Sequence, residues 1–179
     1  MFICPEDADQ AKGTAASKID SEQMIQIVKM AEEIIMEFEL GKSYEELEIG
    51  EKSSFSKTIS ETDVYLFAGI SGDFNPLHVN EQYAKTTPFG ARVAHGPLTQ
   101  SLAAPLLGMK LPGLGAIAVE ITTRFKAPVY IGDTITVTAE LVEKIPTKRW
   151  VRIALTWQNQ KADVVAEGSA IVSPPRKEA

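Results

Sequence analysis

The sequence predicts an α+β fold, with helices mostly in its first half and an antiparallel sheet in its second. Two observations carry this. Apolar residues recur at helical spacing in three stretches between residues 21 and 113. Four short segments between 119 and 172 alternate apolar with polar residues, separated by turn-forming strings. Helices followed by a meander belong to α+β rather than to alternating strand and helix. At 179 residues the chain fits one domain with an appendage. The expected divisions are a polar lead over 1–20, a helix and linker over 21–49, the main domain over 50–173 and a tail over 174–179.

The elements follow in order. In SEQMIQIVKMAEEIIMEFELG, the residues Met24, Ile27, Val28, Ala31, Ile34, Ile35 and Phe38 form one helical stripe. Ser21 is expected as its cap and Gly41 as its stop, with the stripe packing on the domain or on a second subunit. A first strand is expected near Ser54 to Ile59. In SETDVYLFAGISGD, Ser60 and Asp63 form a capping-box pair, and Val64, Phe67 and Ala68 give the buried stripe. NEQYAKTTPFG adds a short helix. HGPLTQSLAAPLLGMKLPG is mostly apolar and is expected as a buried helix. Pro97 suits its first turn, while Pro105 kinks it or ends it early. The strands are VEITTRF, TITVTAEL, WVRIALTW and VVAEGSAIV. Val119, Ile121 and Phe125 share one face of the first, and IPTK and NQK form hairpin connections.

Composition narrows the function. A net charge of −6 argues against nucleic acid, whose phosphates need a basic face. No apolar run is long enough to span a bilayer, and the acidic face of the first helix argues against a membrane surface. The opening residues do not read as a secretory or transit signal, and a single cysteine, Cys4, builds no intrachain disulfide. A cytoplasmic location is therefore expected.

Gly72–His78, GDFNPLH, can be read in two ways. As a turn, Gly-Asp and Asn-Pro are strong turn formers, and Asp73 would bond nearby amides. As a site, the Asn-Pro bend brings the carboxylate of Asp73 and the imidazole of His78 to one point, with Asn75 orienting them. Two such groups can hold a water, take its proton and deliver a proton elsewhere. AHGP follows. Pro97 has no N–H, so Gly96 is the free donor at that helix start, suited to a carbonyl oxygen gaining negative charge. No second or third ligand group stands at metal spacing from His78, so zinc is not expected. No phosphate-binding glycine string, dinucleotide fingerprint or serine elbow is present, so no cofactor is expected.

Taken together, YLFAGISGDFNPLHVNEQYAKTTPFGARVAHGPLTQSL (Tyr65–Leu102) resembles the signature region of the MaoC-like (R)-specific enoyl-CoA hydratases, which have the hotdog fold. The likeness continues more loosely over residues 50–173. The resemblance implies an antiparallel sheet wrapped around a long central helix, here with an extra N-terminal helix. It implies a homodimer joined through the sheets, with acyl-CoA bound at the subunit interface. It implies hydration of a trans-2-enoyl-CoA to an (R)-3-hydroxyacyl-CoA. In that reaction Asp73 and His78 would activate the water, Asn75 would help position them, and the Gly96 N–H would bind the thioester oxygen. His95 would act from behind these groups or simply shape the helix start. Arg124 and Lys126 would reach the CoA phosphates or form an ordinary solvated strand face. Some relatives carry a helix serine where this chain has Ala103, Ala104 and Pro105, which leaves acyl length open. The rival readings are a dehydratase acting on acyl-carrier-protein thioesters, a non-catalytic acyl-CoA-binding subunit and a thioesterase. The chain shows no obvious basic docking face for the first of these, and an intact Asp73, His78 and Gly96 weigh against the second.

Overall fold

A computed structural model describes residues 20–36 and 39–176. Cys4 and Phe38 lie outside the described residues. The chain divides into two compact units, with the break between Glu39 and Leu40.

The first unit contributes helix α1, Ser21–Met36. Its cap is Asp20, one residue earlier than expected. The Gln23 N–H donates to Asp20 Oδ1 at 2.7 Å, and the Asp20 N–H donates to Gln23 Oε1 at 3.3 Å. A carboxylate outcompetes a serine hydroxyl here because Asp20 has a side-chain acceptor three residues on to return the bond. Met24, Ile27 and Val28 of the apolar stripe are about half exposed. Gly41, expected to stop this helix, belongs to the second unit. There its N–H donates to the Leu114 carbonyl, and a Cβ would collide with the backbone of Pro112 and Gly113.

The second unit is an antiparallel sheet around a helical core. Its strands are β1 (Lys52–Thr58), β2 (Ile117–Phe125), β3 (Thr134–Ile145), β4 (Trp150–Gln158) and β5 (Val164–Ser173), in the order β1-β3-β4-β5-β2. Strict alternation puts Ile135, Val137, Ala139 and Leu141 of β3 and Val151, Ile153, Leu155 and Trp157 of β4 on one buried face. Opposite them lie Leu98, Leu102, Ala103, Leu106 and Leu107. The helical segment is two helices, α5 (Gly96–Ser101) and α6 (Ala103–Met109), rather than one. The break lies at Leu102, three residues before Pro105. A proline removes the bond to the carbonyl four residues back, that of Ser101, and its ring crowds that carbonyl. Leu102 keeps a right-handed helical backbone (φ −65°, ψ −14°).

Edge strand β2 departs from the expected alternation. Ile121 packs on the core, but Val119 and Phe125 are half exposed. The ladder with β5 skips from Ala118 to Glu120, so Val119 is the extra residue of a bulge. Phe125, the last residue of β2, lies over Gly96. Among the described residues, no helix is long and apolar enough to cross a membrane.

Candidate active site

Three short helices build the site. α2 (Glu61–Ser71) starts at Ser60 with both halves of the expected capping box, and buries Val64 and Ala68. It ends at Gly72, whose φ of 77° is the left-handed conformation that glycine adopts without strain. This stop places Asp73 in the next turn. α3 (Pro76–Val79) carries His78, and α4 (Glu81–Lys85) follows after Asn80, which closes the one helix and caps the other.

GDFNPLH is therefore both a turn and a meeting point. Asp73 Oδ1 accepts the Asn75 N–H at 3.1 Å, while Asn75 Oδ1 accepts the Leu77 N–H at 3.0 Å and caps α3. Asn75 thus orients Asp73 through its backbone, and its side-chain oxygen serves the helix. The other carboxylate oxygen of Asp73 lies 4.0 Å from His78 Nε2. His78 is nearly buried, with its Nδ1 2.7 Å from the Val93 carbonyl oxygen. A carbonyl can only accept, so the proton of the neutral ring sits on Nδ1 and the Nε2 lone pair faces Asp73.

His95 ties the parts together. It is only 1% exposed. Its Nε2–H donates to the Asp73 backbone carbonyl at 2.9 Å. Its ring centre lies 3.9 Å from that of His78, at an interplanar angle of 31°, with Phe67 at 5.0 Å on another side. Nδ1 of His95 is buried without a hydrogen-bond partner among the described residues.

Folding thus supplies what spacing along the chain did not. Asp73, His78 and His95 each offer a possible metal-ligand atom, and these atoms lie within 4.8 Å of one another. The absence of neighbouring ligands in the sequence is therefore no ground for excluding a metal. One nitrogen of each ring is committed to a carbonyl, and the two ring planes are inclined by 31°.

Gly96 opens α5 directly after His95, and among the described residues its N–H donates to no protein acceptor. A Cβ there would come within 2.9 Å of the Phe125 ring, so a larger residue forces the ring or the helix start to shift. Gly96 lines a cavity of about 300 Å³ with Val93, Ala94, Thr99, Phe125 and Lys126. Gly96 and Val93 thus belong both to the cavity wall and to the surroundings of the Asp73–His78 pair. Lys126 pairs with Glu167 at 2.8 Å on the cavity rim, whereas Arg124 is exposed and is not among the lining residues. Ala103 is buried in the core and Ala104 is exposed, and neither lines the cavity. Sequence reasoning missed the Val93 carbonyl, since a backbone acceptor leaves no mark in residue identity.

Residues 45–161 match the profile described as a MaoC like domain. The chain is 47% identical to an (R)-specific enoyl-CoA hydratase of Rhodospirillum rubrum over 134 residues, 75% of this chain and 92% of that protein. It is 45% identical to a 3-hydroxybutyryl-CoA dehydratase of Methylorubrum extorquens, over 75% of this chain and 85% of that one. The solved structure of the R-hydratase PhaJ1 from Pseudomonas aeruginosa superposes with a TM-score of 0.73 at 41% identity, over 76% of this chain and 88% of that one.

Proposed function

The chain belongs to the MaoC-like domain family, and from that premise we propose that it adds water to trans-2-enoyl-CoA to give (R)-3-hydroxyacyl-CoA, and runs the reverse dehydration. The observation that carries this reading is the meeting of Asp73 and His78 against the His95 ring, which Gly96 directly follows. A 4.0 Å gap is too long for a direct hydrogen bond. A water about 2.8 Å from each group, with an angle of about 90–110° between the two bonds, spans about 4.0–4.6 Å. Asp73 and His78 therefore hold one water, with the Nε2 lone pair and the carboxylate both ready to accept its protons. As the water oxygen bonds to the β-carbon, the pair takes a proton. The double-bond electrons move through the α-carbon towards the thioester oxygen, and a proton returns to the α-carbon.

Charge on the thioester oxygen peaks during that step, and the Gly96 N–H is placed to receive it. Such donors contribute roughly 3–4 kcal/mol in other oxyanion holes. α5 is six residues long, so the N–H itself matters more here than the summed helix dipole. His95 holds the Asp73 backbone and backs the His78 ring. The cavity beside Gly96 takes the chain attached to the thioester, and Lys126 at its rim is the better placed of the two cations to meet a CoA phosphate. The active form is a homodimer in the cytoplasm. Edge strand β2, with Ile117 and Val119 exposed, supports pairing of sheets between two copies.

The test is the loss of conjugated-thioester absorbance when the protein meets crotonyl-CoA, run beside Asp73→Asn, with product trapped by an (R)-specific 3-hydroxyacyl-CoA dehydrogenase. Rapid loss in the native chain, a collapse in the variant and an (R) product support the reading. A chain inert towards short and long enoyl-CoAs refutes it.

A further inference from the structure

We infer that Arg92 is a positioning residue that sets the gap between Asp73 and His78, a role that rests on the hydratase reading above. Arg92 lies between α4 and α5, and its side chain is only 15% exposed although charged. All three guanidinium nitrogens have partners. Nη2 donates to Glu61 Oε1 at 2.6 Å, Nε to Glu81 Oε2 at 3.3 Å and Nη1 to the Tyr65 hydroxyl at 3.1 Å. The guanidinium carbon also lies 5.8 Å from the centre of the Tyr65 ring. Glu61 and Tyr65 stand one turn apart on α2, and Glu81 opens α4.

These are the segments on which the pair depends. α2 runs through Gly72 into Asp73. Asn80 joins α3, which carries His78, to α4, so those two helices move as one. The residue after Arg92 is Val93, whose carbonyl takes the His78 Nδ1–H. One guanidinium thus joins the supports of Asp73, of His78 and of the acceptor that orients His78. The 4.0 Å gap has no direct bond across it, so it depends on the local bonds from Asn75 and His95 to Asp73 and on how α2 sits against α3 and α4. Arginine suits this because its planar fork serves three directions at once, whereas a lysine offers one compact charge. Its removal leaves Glu61 and Glu81 without the cation between them, although Lys85 stays 3.7 Å from the other Glu81 oxygen, and α2 and α4 lose the bonds that join them. Both carboxylates are about half exposed, so solvent limits their repulsion and the fold survives.

The experiment compares Arg92→Gln, Arg92→Lys and the milder Glu61→Gln with the native chain in three readouts. These are kcat and KM for crotonyl-CoA, the melting temperature, and the downfield imidazole N–H proton of His78, assigned by its loss in His78→Gln. A small misplacement of reacting groups can cost 10²-fold, so Arg92→Gln should lower kcat by about 10- to 100-fold. KM should stay within about twofold, because the binding contacts remain. The His78 N–H resonance should move upfield or broaden, Arg92→Lys should recover only part of kcat, and Glu61→Gln should lose least. An unchanged resonance overturns the proposal, whether kcat is unchanged or falls only in step with the folded fraction. Full recovery by lysine overturns it as well. If Arg92→Gln does not fold, the lysine and Glu61 variants decide. A native chain without hydratase activity sinks the hydratase reading instead, and the resonance still tests the clamp.

Discussion

The meander β3–β4–β5 and the segment from α2 to α5 lie in one unit but are held by different forces. The meander buries a continuous apolar face, with Val137, Ile153 and Trp157 wholly inside. Its stabilisation is non-directional and scales with area, at about 25 cal/mol per Å². The α2–α5 segment carries far more exposed surface, with Ile70 and Phe74 open to solvent. It is anchored in the core by Val64, Ala94 and Leu98, but its site groups are set by single directional bonds: a capping box, the Asn75 N–H on Asp73, and the Val93 carbonyl on His78. The lesson is a division of labour. Losses in the meander should appear as lost stability with the chemistry intact, and losses of the groups around Asp73, His78 and Gly96 as lost chemistry with stability largely intact.

The largest expected effect sharpens that contrast. Asp73→Asn should lower kcat on crotonyl-CoA by about 10²–10⁴-fold. Because this side chain is half exposed, chemical denaturation should move by no more than about 0.5 kcal/mol. The converse comes from Leu155→Ala, at the centre of β4. It should cost about 2–5 kcal/mol in a denaturant titration and leave kcat of the folded fraction near native. A large kcat loss in the folded fraction would break the comparison.

Gly96→Ala should have an intermediate effect. The added methyl meets the Phe125 ring, so the ring or the helix start must shift. Loss of one oxyanion donor costs about 10²–10³-fold elsewhere, and a displaced one should cost less, about tenfold or more in kcat. Gly96→Ala combined with Phe125→Leu should regain part of it if the ring is the obstacle, as steady-state kinetics would show.

The smallest effect concerns the capping box. Burial alone would raise the Asp63 carboxyl, but the Ser60 N–H and hydroxyl, with Lys57, outweigh it and hold it below its ordinary 3.8. A depressed carboxyl stabilises the fold above its unfolded value, and that gain is lost as pH falls through the folded value. Asp63→Asn should therefore cost about 1 kcal/mol at neutral pH. The difference from the native chain should shrink once pH drops below 3.8. A difference that stays constant with pH would show that the cap does not depend on the charge.

Much of this was legible in the residues, for reasons that differ along the chain. The Ser60–Asp63 box is a bond across three residues, and the β3 and β4 faces follow from a period of two, so both are local properties. Ser21 was misjudged because Asp20 beside it had the better return partner in Gln23. The break in the buried helix was readable from Pro105, because proline acts on the turn before it. Val119 was assigned to the apolar face because a bulge depends on the register of a distant partner, β5.

The sequence by itself determined the α+β class, the caps, the alternating faces, and the order in which Asp73, His78 and Gly96 come. It did so because those features rest on contacts between residues a few positions apart. Tertiary structure decided which groups face one another. It set the His78 ring on a carbonyl 15 residues away and the His95 N–H on one 22 residues away, and it drew Arg92 onto α2 and α4. Such pairings arise only when the sheet closes on α5 and α6. A backbone carbonyl is common to every residue, so the sequence carries no sign of which one will accept.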